Sequence, residues 1–207
     1  QPCTVGLDLA SKVDIAAAVF LFRKPEGGFA AFGKFYLPEK AKELDATGNY
    51  ATWADATPPR LILTDGDMID HGQILADLVA ASKVFTSESI GYDPAQATML
   101  VTALQAEGLP VVEFRHTVVN MTEPMKEVEA LIRSSKIDHD GDPCFTWQLG
   151  NVVAKADAKD NVYPRKERAE NKIDGAVALI MAMGRQMMSD IAPASPWDDP
   201  NFTLVSA

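Results

Sequence analysis

Four aspartates draw attention because of what surrounds them. Asp8 sits inside Thr4-Val-Gly-Leu-Asp-Leu-Ala10, flanked by Val5, Leu7 and Leu9. An unpaired carboxylate is costly in such an apolar run, so a partner or a bound cation is expected there. Asp93 ends Ser89-Ile-Gly-Tyr-Asp93 ahead of Pro94, and Asp174 precedes Gly175 at the start of an apolar helical stretch. Asp14 follows Asp8 by six residues. Carboxylates gathered in one pocket are what phosphodiester hydrolysis by two metal ions requires, with ions about 3.5 to 4 Å apart clamping the attacking and leaving oxygens. Magnesium prefers such carboxylate and water ligands. Each acid also has a plain structural reading: Asp93 as a turn residue before proline, Asp174 as a helix cap. That reading explains Asp8 least well.

These acids need a scaffold that brings them together. Thr4–Ala10 alternates as a strand, with Val5, Leu7 and Leu9 on one side and Gly6 and Asp8 on the other. Two further β-like runs, Val13–Phe22 and Phe29–Leu37, are joined by the turn-forming Lys24-Pro-Glu-Gly-Gly28, which predicts an antiparallel meander. Helices and strands then alternate. Residues 38–45 and 50–55 read as short helices and Leu61–Thr64 as a strand. Asp70 caps a predicted helix to about Val84, then come a strand over 89–93, a helix from Pro94 to about Glu107 and a strand over Val111–Phe114. Thr122-Glu-Pro reads as the start of a helix to Ser135. Residues 137–172 read as a hairpin and loops, with β-like pieces at Phe145–Leu149 and Asn151–Ala154. A strong helix is expected over Ile173–Met188. The order predicts a mixed five-stranded or slightly larger sheet flanked by helices, its antiparallel meander joined to parallel strands by right-handed crossovers. The first strand then lies centrally beside the strand ending at Asp93, so two carboxylates sit side by side.

The 207 residues, 47% hydrophobic and 23% charged, suit one domain with a sizeable core. We read residues 1–190 as that domain and 191–207, with Pro193, Pro196 and Pro200, as an extended tail. No run approaches the roughly 18 apolar residues of a membrane span, and no signal peptide precedes the first strand. Cys3 and Cys144 show no zinc or disulfide pattern. A cytoplasmic protein is expected. The net charge of −10 argues against nucleic acid, which favours basic surfaces. A carboxylate metal site adds negative charge by design, however, and a larger assembly can supply the grip. Gln1 in place of an initiator Met suggests a fragment or processed chain.

Five blocks together carry a family resemblance: Val5-Gly-Leu-Asp-Leu-Ala-Ser11, Tyr92-Asp-Pro-Ala-Gln-Ala-Thr98, Leu109-Pro-Val-Val-Glu-Phe-Arg115, Asn120-Met-Thr-Glu-Pro-Met-Lys-Glu127, and Asn151-Val-Val-Ala-Lys155 through Asn171-Lys-Ile-Asp-Gly-Ala-Val-Ala178. In this order and spacing they resemble the nuclease domain of tailed-phage terminase large subunits, over nearly the whole chain. The resemblance implies a ribonuclease H-like fold that cuts concatemeric viral DNA during genome packaging, in a bacterial host and encoded by a phage or prophage. By motif it places the metal-binding acids on Asp8, Asp93 and Asp174, with Asp14 as an accessory catalytic acid and two Mg²⁺ or Mn²⁺ ions as cofactors. The implied partners are double-stranded DNA, an ATPase domain in the full-length protein, the portal and the small terminase subunit. One departure is plain: the chain has no glycine-rich phosphate loop ending in Lys-Ser or Lys-Thr, so no ATPase is expected within it.

The remaining signals are weaker. Lys155, Lys159, Arg165, Lys166, Arg168 and Lys172 cluster with interspersed acids ahead of Asp174. We read Lys155, Arg165, Lys166 and Lys172 as DNA-backbone contacts, against the alternative of a solvated loop. His116 is a candidate neighbour of the site. Asp138-His-Asp-Gly-Asp142 reads as a solvated turn, since Pro143 stands where an EF-hand loop needs glycine. Trp197 is a candidate anchor for a packaging partner. Rival readings are a resolvase or transposase of the same fold, a nucleotide-binding domain of the actin and sugar-kinase type, which needs a second lobe, and a non-catalytic packaging-assembly module.

Overall fold

The computed structural model describes residues 1–9, 14–45, 48–95 and 98–191. The expected tail with Trp197 lies outside them, as do Ala10 and Val13.

The predicted meander forms as β1 (Pro2–Asp8), β2 (Ala16–Arg23) and β3 (Phe29–Pro38), paired antiparallel. After β3 come a 3-10 helix over Glu39–Leu44, α1 (Asn49–Ala54) and the short strand β4 (Ile62–Thr64). Next are α2 (His71–Ser82), β5 (Thr86–Tyr92), α3 (Thr98–Ala106) and β6 (Val111–Glu113). Asp70 caps α2 as expected, its carboxylate accepting from the Gly72 N–H at 2.7 Å. The chain continues through α4 (Val118–Arg133), β7 (Ile137–His139), α5 (Pro143–Gly150), the hairpin of β8 (Val152–Ala156) and β9 (Val162–Lys166), and α6 (Asp174–Ile191).

The main sheet runs β4-β3-β2-β1-β5-β6, and β7 also pairs with β3, so among the described residues it has seven strands. β1 is central, antiparallel to β2 and parallel to β5. Helices cover both faces. Beneath one face, Val5, Leu7, Phe20 and Ile90 pack against Ile74, Leu78, Leu100 and Leu104 of α2 and α3. Against the other, Ala17, Val19, Phe35 and Leu37 meet α4, α5 and α6 through Met121, Phe145, Ala178 and Ala182. Burying two such layers supplies the main driving force for folding.

Two expectations about helices need correction. α4 starts at Val118, where the Thr117 hydroxyl accepts from the Asn120 N–H at 3.3 Å, so Thr122-Glu-Pro lies within the helix. Pro124 inside a helix forfeits a hydrogen bond at about 3 kcal/mol; burial of Met121, Thr122, Pro124, Met125, Val128 and Leu131 outweighs this loss. Phe145–Leu149 is helical, not β-like. Asp142 caps α5 by accepting from the Phe145 N–H at 3.0 Å, and Pro143 occupies the first turn, where its missing N–H costs nothing. The alternation of Phe145, Trp147 and Leu149 mimicked a strand. Among the described residues, no helix is long and apolar enough to cross a membrane.

Candidate metal centre

The site is assembled by the register of β1 against α6. Odd-numbered residues of β1 (Cys3, Val5, Leu7) face the α2–α3 layer, so Thr4, Gly6 and Asp8 face α6. The Thr4 hydroxyl donates to the Ala182 carbonyl at 3.1 Å. A Cβ on Gly6 would stand 1.8 Å from the Ala178 carbonyl oxygen, so only glycine allows α6 this close. Two strand residues advance about 6.6 Å and four helix residues about 6 Å, so the two elements stay in step. One further step from the Gly6–Ala178 contact leads to Asp8 and Asp174.

β5 supplies the third acid. Leu7 pairs with Tyr92 in the parallel ladder, so Asp8 and Asp93 stand at neighbouring strand ends. Asp93 is seated by the backbone: Oδ1 accepts from the Ala95 N–H and Oδ2 from the His116 N–H, each at 2.9 Å. The His116 ring also faces it, with Nδ1 3.4 Å from Oδ2, while Nε2 lies 3.1 Å from the Met181 sulfur of α6. Burial pushes the His116 pKa down and the Asp93 charge opposes this. Asp14 completes the group, paired with the ammonium of Lys172 and 3.9 Å from Lys166 Nζ.

The acids act on one another. Burial holds the Asp8 carboxyl well above the ordinary aspartate range, and the charges of Asp174, Asp93 and Asp14 push the same way. Asp174 is pushed up to about 6 by burial and by Asp14, against the backbone hydrogen bonding of the helix start and the fields of Lys166 and Lys172. Among the described residues, no three His, Cys, Asp or Glu side chains are gathered tightly enough to hold a metal ion as they stand. Mutual repulsion of like charges works against closer approach. The donor set nevertheless suits a hard dication: it consists of carboxylate oxygens, partly desolvated, with excess negative charge.

All four predicted acids therefore meet at one end of the sheet. Asp93 and Asp174 also fill their local roles, one in a turn and one in the first turn of α6. The hairpin lies alongside. Thr122 Oγ1 is 3.1 Å from the Val162 carbonyl, and the Tyr163 hydroxyl donates to the His116 carbonyl at 3.3 Å. Burial raises the Tyr163 pKa, the Arg165 charge opposes this, and the charges of Asp8 and Asp93 add to the rise. Tyr163 was not anticipated, because an aromatic in a predicted hairpin carries no signal of its neighbours. The four predicted DNA contacts divide: Lys155 and Arg165 are exposed on the hairpin, with Arg165 over the Tyr163 ring at 5.0 Å, whereas Lys166 and Lys172 turn towards Asp14. α5 sets the start of α6, as the Gln148 side chain accepts from the Gly175 N–H at 2.7 Å and Asn151 donates to the Lys172 carbonyl at 3.0 Å. The solvated turn expected over Asp138–Asp142 needs correction: Asp138 and His139 belong to β7, Asp138 pairs with Lys24, and Asp140 and the buried Asp142 pair with Arg60.

A central strand, the end of its parallel neighbour and a following helix that together present clustered acids define the ribonuclease H-like class. Residues 1–190 match the family described as terminase large subunit, endonuclease domain, and the chain belongs to that family. It is 38% identical to protein YmfN of Escherichia coli (strain K12) over 201 residues, which is 91% of this chain and 44% of that protein. It is 28% identical to the terminase large subunit of Enterobacteria phage HK97, covering 97% of this chain and 40% of that protein. The chain thus spans less than half the length of these relatives. The crystal structure of the HK97 large terminase superposes with a TM-score of 0.81 at 27% identity, over 89% of this chain and 39% of that one. The large terminase nuclease from thermophilic phage G20c shares the fold, with a TM-score of 0.59 at 13% identity over 87% of this chain and 80% of that one, and has also been solved with bound magnesium and with bound cobalt.

Proposed function

We propose that this chain is a divalent-metal-dependent endonuclease that cuts concatemeric viral double-stranded DNA during genome packaging. The observation that carries this reading is the three-step register of β1 against α6, which sets Asp8 against Asp174 with Asp93 alongside. Family membership and the metal-bound structures of relatives with the same fold support it.

Asp8, Asp93 and Asp174 would hold two Mg²⁺ or Mn²⁺ ions, with Asp14 as the accessory acid. Bound there, such ions lower the pKa of a water nucleophile and stabilise the leaving 3′-oxygen. The protein's own part is to orient and to hold charge. The Ala95 and His116 backbone fixes Asp93, while the Gln148 contact to Gly175 fixes the helix start that carries Asp174. Lys155 and Arg165, exposed on the hairpin beside the acids, would contact DNA phosphates, with Lys166 and Lys172 nearer the acids; such contacts position the duplex without reading its sequence. As part of a longer protein, the chain would work with an ATPase domain, the portal and the small terminase subunit in the host cytoplasm.

The test is nicking and linearisation of plasmid DNA with Mn²⁺ or Mg²⁺. The wild-type chain should cut and Asp8→Asn, which removes a ligand charge at constant volume, should not. Undiminished cutting by Asp8→Asn would overturn the assignment, and a wild-type chain inert on linear, supercoiled and branched DNA would point to an assembly module.

A further inference from the structure

The cationic segment before α6 contains one lysine whose burial against an acid the DNA-binding role does not account for. The Lys172 side chain is only 13% exposed, and its ammonium lies on the Asp14 carboxylate, with Lys166 Nζ 3.9 Å from the same oxygen. Its backbone is pinned on both sides. The Arg168 carbonyl accepts from the Asn171 N–H at 3.2 Å, the Lys172 carbonyl accepts from Asn151, and the Gly175 N–H is held by Gln148. The ammonium therefore reaches Asp14 from an ordered backbone, which leaves only the side-chain part of the entropy of placing it. Its field reaches beyond Asp14, since Lys166 and Lys172 both lower the pKa of Asp174.

Charge counting gives this placement a consequence. Once metal has drawn all four carboxylates into the ionised form, they and the two ammonium groups among them leave two negative charges, which one dication neutralises. A second dication meets a site that is already balanced. We propose that Lys172 is a resident counter-cation of the acid cluster, and that a divalent ion taking Asp14 as a ligand has to displace it. This rests on the carboxylate-site reading above. It separates two binding events at the same acids: a first ion that Asp8, Asp93 and Asp174 hold without Asp14, and a second that needs Asp14 as an accessory ligand and so competes with a tethered positive charge. Lys166, more exposed and farther from Asp14, competes less.

The experiment is Mn²⁺ titration calorimetry on the DNA-free chain near pH 7.5, for the wild type, Lys172→Met, Lys172→Arg and Lys172→Met combined with Asp14→Asn. The wild type should bind one ion tightly and a second more weakly. Lys172→Met, similar in length but neutral, should bind the second ion about tenfold more tightly, a difference of about 1.4 kcal/mol. Lys172→Arg should keep the wild-type isotherm, and Asp14→Asn should cancel the gain. In the wild type itself, the NMR signal of the Lys172 ammonium should move with the second equivalent of Mg²⁺ and not the first, a readout that does not depend on any variant folding. An unchanged isotherm in folded Lys172→Met, weaker Mn²⁺ binding in it, two equal sites in the wild type, or an ammonium signal that stays still throughout would each overturn the proposal while leaving the carboxylate site standing. No Mn²⁺ binding by any of the folded proteins would instead remove the carboxylate-site reading, and this proposal with it.

Discussion

Replacing Asp174 by asparagine should stabilise the metal-free protein at neutral pH while weakening its metal response. Burial and Asp14 lift the Asp174 carboxyl from its ordinary value of 3.8 to about 6. A shift of roughly two pKa units corresponds to on the order of 3 kcal/mol. The sign follows from linkage. A carboxyl whose folded pKa lies above its unfolded pKa stabilises the protein fully below pH 3.8, and this contribution is lost as pH rises through about 6. At pH 7 the folded state therefore carries an ionisation penalty that asparagine does not. The favourable backbone hydrogen bonding at the start of α6 is already contained in that value, so the gain should be about 3 kcal/mol, or roughly 6 to 12 °C in Tm for a domain of this size. Because Asp8 is shifted the same way and the acids interact, the pH dependence belongs to the cluster and not to Asp174 alone. The assay is thermal melting in chelator from pH 4 to 8, repeated with added Mg²⁺ or Mn²⁺. The wild type should lose stability from this group between pH 4 and 7 and regain it with metal; the variant should show a flatter profile, a smaller metal-induced rise and no DNA cleavage. An Asp174→Asn protein less stable than the wild type at pH 7, or a stability difference independent of pH, would refute the electrostatic account.

Other outcomes follow from the same geometry. Gly6→Ala sets a methyl group 1.8 Å from the Ala178 carbonyl oxygen, a backbone atom that moves only if α6 moves; urea unfolding should show a loss of at least 3 kcal/mol, on the order of the largest core substitutions, and a loss under about 1 kcal/mol would mean that the helix is not held at this distance. Substituting Lys155, Arg165 and Lys166 together by alanine should weaken DNA binding and lower the slope of affinity against salt by about 0.9 for each phosphate that is no longer neutralised. An unchanged slope would return that segment to a solvated surface.

Much of the scaffold was legible from the residues because its signals are local. The alternation in β1, the turn at Lys24–Gly28, the Asp70 cap and the apolar stripe of α6 each depend on residues a few positions apart, and each appears in the fold. Local signals also misled where two of them competed. The Phe145–Leu149 alternation outweighed the Asp142–Pro143 helix start, and Pro124 was read as an opening residue although its burial keeps it inside α4. Asp8 was recognisable by itself, because a carboxylate between Val5, Leu7 and Leu9 is anomalous whatever surrounds it. Asp93 and Asp174 were not, since both satisfy ordinary turn and helix-start roles as well. Their meeting with Asp8 depends on the Leu7–Tyr92 pairing and on the depth to which Gly6 admits α6, and both come from packing between elements more than eighty residues apart. The division of the basic residues arises in the same way: Lys155 and Arg165 face outward while Lys172 turns inward, because α5 decides where the chain enters α6. Sequence neighbours set which elements form and which acids are anomalous; only long-range burial and close approach of the layers decide which charges share a pocket.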